Sequence, residues 1–293
     1  MLIARILTAV ALLGSLLPTL FMAPIWAWGA ITLIFFSGAA AEWSRLVGAS
    51  RQWASLTFFA GLAWVVITEL LPTSGLLPWA VAPALVAALF WLTISPWRLT
   101  GGFSQDRLAL VGVVLAFSAW QAAFELRRLG IGQLLSTACI VWVADVAAYF
   151  GGRAFGRHKL APAISPGKTW EGVLFAMVTV LGLGWATVVY SERLIAEAQG
   201  ANLSMVQGWV VQSLPAQLAQ RFGLPGLVGI LSGLTALSIT GDLYESLLKR
   251  EAGVKDSGRS LPGHGGFFDR MDALMPVLPI GFLVVRYLSE RLP

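Results

Sequence analysis

Charged side chains are scarce in this sequence. Lys, Arg, Asp and Glu together make up 12% of its 293 residues, whereas hydrophobic residues make up 57%. Soluble globular proteins carry about 25% charged residues, and half that fraction leaves too little polar surface to cover a water-soluble particle of this size. The same composition excludes a disordered chain, a collagen and a coiled coil. The sequence therefore predicts an integral membrane protein that crosses the bilayer several times.

Cysteine is nearly absent as well. The only one, Cys139, lies inside an apolar run, so the chain can form neither an intrachain disulfide nor a metal site made of cysteine alone. Lys and Arg number 20 against 15 Asp and Glu, but these basic residues gather in short loops between apolar runs. That distribution is typical of topology signals and lipid headgroup contacts rather than of a nucleic-acid-binding surface. We therefore expect membrane lipids, and no nucleic acid, among the partners.

Apolar runs of bilayer length, about 17 to 25 residues each, predict an all-α fold with about nine transmembrane helices. The first run resembles a secretory signal peptide, but another span follows at once and no convincing cleavage site separates them, so we expect it to be retained. The predicted spans lie near 5–22, 24–42, 53–71, 77–95, 107–124, 132–150, 171–190, 224–247 and 272–290.

The distribution of Lys and Arg predicts a cytoplasmic N-terminus, because short loops rich in positive charge stay in the cytoplasm. This orientation places the two most basic loops, 151–170 and 249–270, on the same cytoplasmic face. We divide the chain into an N-terminal region, 1–130, with about five spans, and a C-terminal catalytic region, 131–293, that carries both loops.

Four acidic residues fall within or beside predicted spans, where charge is costly and therefore indicates function. Glu42 and Glu69 lie near span ends, so we expect their side chains to reach interfacial water. Asp145 precedes the first basic loop by about six residues, or about 9 Å along a helix. It is a candidate substrate-binding residue, with a structural hydrogen bond as the alternative. Asp242 precedes the second basic loop.

The segment after Asp242 combines acids with a hydroxyl and an ammonium group. In a helix, Asp242, Ser246 and Lys249 follow one another at spacings of four and three, which places them along one stripe. Asp269 and Asp272 are three residues apart and share a helical face if a second helix begins near residue 268. Three carboxylates can then converge at the membrane surface. Because oxygen-rich clusters suit magnesium or manganese, the pattern predicts a hard divalent cation.

The loop between these acids has the composition of a phosphate-binding site. Its basic side chains supply positive charge, and its glycines allow backbone amides to approach phosphate oxygens. We assign its histidine to phosphate hydrogen bonding, since an anionic phosphate nucleophile needs no general base. Topology signals, turns and a structural histidine explain each component alone, but their joint density indicates phosphoryl or nucleotidyl transfer. These residues are Lys249, Arg250, Lys255, Arg259, Gly263, His264, Gly265, Gly266 and Arg270.

The other basic loop, 151–170, contains a Gly-Lys-Thr triplet that ends at Thr169. A P-loop would require a glycine where Pro162 stands, so the Walker interpretation fails. We expect Lys168 to contact a triphosphate or a lipid phosphate. General attraction to anionic lipid is the alternative.

Two stretches of this sequence closely resemble the phosphatidate cytidylyltransferases, also called CDP-diacylglycerol synthases. The resemblance covers about residues 140–172 and 240–275, while the first half of the chain matches only in hydropathy. The first stretch runs from Trp142 through Tyr149, Gly152-Arg153, Phe155-Gly156 and Ile164-Ser165-Pro166 to Lys168-Thr169 and Glu171-Gly172. The second reads Ser246-x2-Lys249-Arg250-x4-Lys255-Asp256-x-Gly258-x2-Leu261-Pro262-Gly263-His264-Gly265-Gly266-x2-Asp269-Arg270-x-Asp272.

This resemblance implies that CTP and phosphatidic acid react with magnesium to give CDP-diacylglycerol and pyrophosphate in phospholipid biosynthesis. It also implies a homodimer in the inner, cytoplasmic membrane, with the active site facing the cytoplasm and potassium as a second cation. Asp242 and Asp269 match acids associated with the metal centre of the family, and we add Asp272 as a third ligand. We expect Asp242, Lys249, Asp269 and Arg270 to be catalytic, and Ser246 to orient a phosphate.

Two other functions remain open. A CDP-alcohol phosphotransferase also uses acids and magnesium, but its Asp-Gly-x2-Ala-Arg motif is absent here. A transporter for an anionic solute would use Asp145 and Asp242 as coupling acids. The second fits poorly, because transport sites lie near the bilayer midplane whereas these residues cluster at one face.

Overall fold

Long apolar helices make up nearly all of the structure, a computed structural model that describes residues 2–71, 77–101, 109–198 and 203–291. The predicted all-α fold is confirmed. The helices are α1 (Leu2–Phe21), α2 (Ile25–Leu46), α3 (Trp53–Leu70), α4 (Leu77–Leu89), α5 (Ser95–Leu99), α6 (Ala109–Leu129), α7 (Ile131–Phe155), α8 (Trp170–Ala198), α9 (Met205–Val211), α10 (Leu214–Glu251), α11 (Phe268–Met271) and α12 (Leu274–Arg291). A π-helical segment, Phe90–Ile94, joins α4 to α5.

Within the described ranges, eight helical segments are long and apolar enough to cross a membrane, as a polytopic membrane protein requires. They correspond to all the predicted spans except the first. That run forms α1, whose apolar part, Ile6–Phe21, is shorter than the other eight, so its role as a ninth span stays a prediction. The expected start of the fifth span at residue 107 lies outside the described residues, and α6 is described from Ala109.

Proline and glycine set the helix boundaries that matter for the site. Helix α2 begins directly after Pro24, and Gly48 lies just beyond its end with φ 71°, a conformation that favours glycine. Helix α10 is kinked at Gly223, where φ is 63°, two residues before Pro225. The span predicted for 224–247 therefore begins at this kink, and its far end carries the acids of the predicted site.

The chain forms two compact units. The first comprises Met1–Glu125 and Thr240–Ile280, and the second comprises Leu126–Ile239 and Gly281–Pro293. The basic loop 249–270 belongs to the first unit, and the basic loop 151–170 belongs to the second. The functional division of the chain at residue 130 stays a prediction.

The first unit is held together by buried aromatic rings. Trp43 of α2 stacks on Tyr244 of α10 at 5.5 Å between ring centroids, and it contacts Phe268 of α11 at 5.3 Å. Trp91 packs edge-on against the same tyrosine at 5.6 Å. These four rings are essentially inaccessible to solvent. Helices from the first half of the chain therefore fix the end of α10 and the start of α11.

The second unit contains a feature that the sequence did not indicate. Strands β1 (Lys159–Ala161) and β2 (Ser165–Thr169) pair antiparallel, with Lys159 opposite Thr169. The hairpin lies between α7 and α8, in the segment predicted as a loop. Strand β1 has only three residues, and β2 contains Pro166 and Gly167, so neither shows an alternating pattern in the sequence.

Candidate active site

The last turns of α10 carry the predicted stripe of polar residues. Ser246 Oγ donates a long hydrogen bond of 3.5 Å to Asp242 Oδ1, one turn earlier. Lys249 instead pairs with Glu245, whose Oε2 atom lies 2.6 Å from Nζ. Sequence reasoning gave Glu245 no role, although its spacing of four residues from Lys249 is a recognisable signal for an ion pair on one helix.

Lys249 also joins α10 to α11. Its Nζ donates to Asp269 Oδ1 at 2.8 Å, so the ammonium group lies between two carboxylates. The exposed fractions of the three side chains are 2% for Glu245 and 13% each for Lys249 and Asp269. Because water is largely excluded, these charges interact more strongly than a surface pair, and removal of one leaves the others uncompensated.

Asp269 is held by the backbone of the loop as well as by Lys249. Its Oδ2 atom accepts hydrogen bonds from the Gly266 amide at 2.8 Å and from the Ser257 amide at 3.1 Å. The sequence assigned Gly265 and Gly266 to phosphate binding. In the structure the Gly266 amide is used inside the protein, because the loop turns back onto Asp269. Gly265 has φ 85°, which explains the need for glycine at this turn.

Asp272 lies on the next turn, beside α10. Helix α11 begins at Phe268, as predicted, and Asp272 follows its last residue. A Cβ atom at Gly241 would lie 2.4 Å from the Asp272 carbonyl oxygen. The absence of a side chain at Gly241 therefore lets α10 approach this carbonyl next to Asp242. The Asp272 carboxylate accepts a hydrogen bond of 2.7 Å from the Ala273 amide.

Carboxylate oxygens are the ligands that magnesium prefers, but these side chains are not grouped as a metal site requires. Among the residues that the structure describes, no three Asp, Glu, His or Cys side chains are grouped closely enough to hold a metal ion. The Lys249 ammonium supplies the positive charge beside Asp269 instead. The three-carboxylate metal centre of Asp242, Asp269 and Asp272 therefore stays a prediction.

Three further basic residues of the loop, Arg250, Lys255 and Arg270, have exposed side chains. Arg270 donates to the His264 carbonyl oxygen from Nε at 3.0 Å and from Nη2 at 2.7 Å. These bonds fix the glycine turn, where Gly263 has φ 79°. Arginine has five N–H donors, so Arg270 can hold this turn and bind a phosphate.

A cavity of about 900 Å³ opens beside this loop. Its volume lies within the range of about 300 to 1,000 Å³ that is common for small-molecule sites. Helix α2 and the chain after it contribute Arg45 and Arg51, and the loop contributes Lys255 and Arg259. The sequence gave the two arginines of the first half no role beyond topology. The cavity therefore offers an anionic ligand cations from both parts of the first unit.

Glu42 does not lie in interfacial water, and that prediction was wrong. Its side chain is 6% exposed. Its carboxylate accepts hydrogen bonds from Ser257 Oγ at 2.9 Å, Ser260 Oγ at 2.7 Å and the Phe268 amide at 2.9 Å. The basic loop covers it, a fold-back that hydropathy alone cannot reveal. Glu69 is exposed, as expected.

A second long-range ion pair also escaped sequence reasoning. Arg98 binds Glu251 through two parallel hydrogen bonds of 3.0 and 2.8 Å, and the Arg98 side chain is only 5% exposed. The two residues are separated by 153 positions, so no local pattern connects them. The pair ties α5 to the last residue of α10 with the geometry of a strong arginine–carboxylate contact.

The remaining predicted residues lie in the second unit. Asp145 is exposed on α7, and Lys168 is half-buried in β2. Glu171, in the first turn of α8, accepts hydrogen bonds from the Arg157 amide at 3.0 Å and the His158 amide at 3.2 Å. His158 Nδ1 lies 2.6 Å from the same carboxylate. Glu171 thus anchors the chain that leads into the hairpin.

Comparison with known proteins agrees with the chemistry of these residues. The sequence profile of the cytidylyltransferase family matches residues 3–288. A phosphatidate cytidylyltransferase of Pseudomonas aeruginosa is 32% identical over 293 aligned residues, covering 96% of this chain and 95% of that protein. One from Brucella suis is 34% identical over 253 residues, 85% of this chain and 80% of that protein. One from Haemophilus influenzae is 39% identical over 150 residues, 51% of this chain and 44% of that protein. Because the match spans nearly the whole sequence, the chain belongs to the cytidylyltransferase family.

Proposed function

We propose that this protein is a phosphatidate cytidylyltransferase, which transfers the cytidylyl group of CTP to phosphatidic acid and releases pyrophosphate. The observation that carries the proposal is the buried Glu245–Lys249–Asp269 cluster, with Lys249 Nζ at 2.6 and 2.8 Å from the two carboxylates. It lies within the residues that resemble the family signature, next to exposed cations. The relatives from P. aeruginosa and B. suis are both named phosphatidate cytidylyltransferase, and the alignments cover most of their length.

Both proposed reactants are anionic, and the charges beside the loop suit them. Arg45, Arg51, Lys255 and Arg259 line the 900 Å³ cavity, where they can neutralise phosphate oxygens. The Glu42 carboxylate, which also borders the cavity, is already bonded to Ser257, Ser260 and the Phe268 amide. The acyl chains of phosphatidate would remain in the bilayer, which accounts for a transferase composed almost entirely of apolar helices.

The reaction needs alignment and charge neutralisation more than proton transfer. A phosphate oxygen of phosphatidate attacks the α-phosphorus of CTP, the bond to the β-phosphate oxygen breaks, and pyrophosphate leaves. Phosphatidate is already anionic at neutral pH, so no side chain has to remove a proton. Lys249 and Arg270 stabilise negative charge on the transferred group, and Arg250 and Lys255 bind the phosphates. Ser246 orients a phosphate through its hydroxyl group.

His264 has the properties of a further phosphate contact. Its side chain is partly buried, and its Nδ1 atom has no hydrogen-bond partner among the residues that the structure describes. A buried polar atom without a partner is costly. A bound phosphate oxygen would supply that partner to a protonated ring nitrogen. In the second unit, we assign a phosphate contact to Lys168. We assign a substrate-binding role to Asp145.

We also propose a magnesium requirement, with Asp242, Asp269 and Asp272 as ligands and potassium as a second cation. The donor chemistry supports this proposal, because carboxylate oxygens are the ligands that magnesium prefers. A bound divalent cation would neutralise charge on the reacting phosphates. Activity should therefore disappear with a chelator and return with added magnesium. Activity that persists in excess chelator would contradict the assignment.

We further propose that the protein is a homodimer in the inner membrane and that its loops 151–170 and 249–270 face the cytoplasm. The excess of Lys and Arg in both loops supports this orientation. Replacement of Cys139 by serine, followed by introduction of a cysteine at Lys255, permits a direct test with a membrane-impermeant thiol reagent. Labelling should occur only after the cytoplasmic face is opened. Labelling in intact cells would contradict the orientation.

The activity itself is tested by incubating purified protein with phosphatidate, magnesium and CTP that is labelled in its α-phosphate. Label should move into a chloroform-soluble product, and unlabelled CTP should compete better than ATP, GTP or UTP. A well-folded sample that binds or moves an anionic solute but makes no such product would favour a transporter instead.

A further inference from the structure

A buried carboxylate in the first half of the chain holds the loop of the proposed active site. Glu42 lies on α2, outside both stretches that resemble the family signature. Its hydrogen-bond partners Ser257 and Phe268 are 215 and 226 positions away in the sequence. With an exposed fraction of 6%, its burial would be costly without these partners.

Two glycines of the loop lie directly against the Glu42 carboxylate. A Cβ atom at Gly258 would lie 2.0 Å from Glu42 Oε1, and one at Gly266 would lie 2.1 Å from Oε2. Both glycines therefore provide space for the carboxylate itself. Three donors from separate points of the loop, Ser257 Oγ, Ser260 Oγ and the Phe268 amide, converge on its two oxygens. The interaction thus fixes the middle of the loop and the start of α11.

Ser257 passes this constraint on to Asp269. Its hydroxyl donates to Glu42 at 2.9 Å and accepts from the Asp269 amide at 3.2 Å. Its own amide donates to Asp269 Oδ2 at 3.1 Å. Asp269 in turn binds Lys249 at 2.8 Å. A continuous set of hydrogen bonds therefore runs from Glu42 to the charged cluster.

We propose that Glu42 is a positioning residue for cytidylyl transfer. It sets the loop conformation that places Asp269 and Lys249, and it contacts neither reactant. This inference rests on the proposed function and extends it to α2. The role requires a side chain of this length with hydrogen-bond acceptors, because Glu42 accepts from neutral hydroxyl and amide groups. Glutamine keeps the length and one carbonyl oxygen, whereas alanine removes every acceptor.

Three variants in the full-length protein test the proposal. Glu42→Ala should lower kcat by on the order of 100-fold, with KM for CTP changed by less than about threefold, because the loss falls on alignment. Glu42→Gln should recover activity to within about tenfold of the unaltered protein. Glu69→Ala is the matched control, since Glu69 is an exposed glutamate near the end of another span, and it should leave both constants unchanged.

Hydrogen exchange gives a readout that does not depend on activity. The amides of Phe268 and Asp269 donate to Glu42 and to Ser257, so they should exchange faster in Glu42→Ala than in Glu42→Gln. If the unaltered protein made no CDP-diacylglycerol, the proposed function would fail. The comparison of amide exchange in the two Glu42 variants would still decide whether Glu42 positions the loop. Unchanged exchange in Glu42→Ala would overturn the proposal, as would equal losses of activity in the alanine and glutamine variants.

Ser260→Ala covers the case in which Glu42→Ala does not fold. Ser260 is exposed and contributes one hydrogen bond of 2.7 Å to Glu42, so its removal leaves the other two bonds intact. We expect a decrease in kcat of about three- to tenfold and faster exchange of the Phe268 amide. Unaltered kcat and exchange in this variant would overturn the proposal.

Discussion

Replacement of Lys249 by methionine gives the sharpest prediction from the charged cluster. Methionine has nearly the same length, but it removes the ammonium group that lies 2.6 Å from Glu245 and 2.8 Å from Asp269. Two carboxylates that are 2% and 13% exposed would then face each other without this cation. Breaking a buried ion pair by removing one partner costs about 3 to 5 kcal/mol. We expect the lower end, about 3 kcal/mol, because Asp269 keeps the amides of Gly266 and Ser257.

A loss of this size is measurable in detergent solution. About 3 kcal/mol corresponds to a decrease of roughly 6 to 12 °C in the apparent melting temperature of a protein of this size class. Tryptophan fluorescence can follow unfolding, since Trp43 packs directly on α10 and α11. Activity should fall by on the order of 100-fold or more, because Lys249 is also expected to stabilise the transferred phosphate.

The double variant Lys249→Met with Glu245→Gln separates charge from packing. Glutamine at position 245 removes the buried acid that the first substitution leaves beside Asp269 without its lysine, so the double variant should regain about 1 to 2 kcal/mol of the lost stability. It should not regain activity. Lys255→Met is the control, because Lys255 is exposed and its replacement should leave the melting temperature within about 1 °C. Equal melting temperatures for Lys249→Met and the unaltered protein would refute the account of the cluster.

Three further predictions follow from the same structure. Asp242→Asn should leave an inserted, folded protein with less than about 1% of the activity, measured as CDP-diacylglycerol formed; near-normal turnover would contradict the assignment of Asp242. Arg51→Ala should raise KM for CTP or phosphatidate about three- to tenfold at unchanged kcat, because Arg51 only lines the cavity. Titrating each reactant separately identifies which one Arg51 binds. Unaltered KM values for both reactants would exclude the cavity as their binding site. Gly266→Ala should lower the melting temperature strongly, because its Cβ would lie 2.1 Å from Glu42, whereas the control Gly167→Ala has no atom within 4 Å of its Cβ and should be neutral.

The helical membrane fold was predictable because each span is a local property of the sequence. Apolar runs of bilayer length give the spans directly, and the kink at Gly223 falls where the glycine and the following Pro225 indicate a boundary. The glycines of the basic loop were assigned to phosphate binding, with a turn as the alternative, and the positive φ of Gly263 and Gly265 shows that a turn is present.

The long-range contacts of the site were not predictable. Glu42 was placed in interfacial water because hydropathy reports where a span ends and not which loop folds over that end. Its partner Ser257 is 215 positions away. Arg98 and Glu251 pair across 153 positions without any shared pattern. Such contacts depend on how helices pack, and a single sequence records each partner only as an isolated polar residue.

The position of Lys249 shows the limit of a residue-by-residue interpretation. The sequence predicted that acids would converge around a metal ion, and it assigned Lys249 to phosphate. The structure places the ammonium group between the Glu245 and Asp269 carboxylates, where its own positive charge offsets theirs. Composition alone cannot distinguish a carboxylate that binds a metal ion from one that binds a lysine 20 positions away in the sequence, as Asp269 does, because both sites contain acidic residues near basic ones.

Product stoichiometry tests the central claim most directly. Purified protein supplied with magnesium, CTP and phosphatidate should release one pyrophosphate for each CDP-diacylglycerol formed, and it should release none when phosphatidate is omitted. Release of pyrophosphate without the lipid, or release of inorganic phosphate in its place, would contradict cytidylyl transfer to phosphatidate.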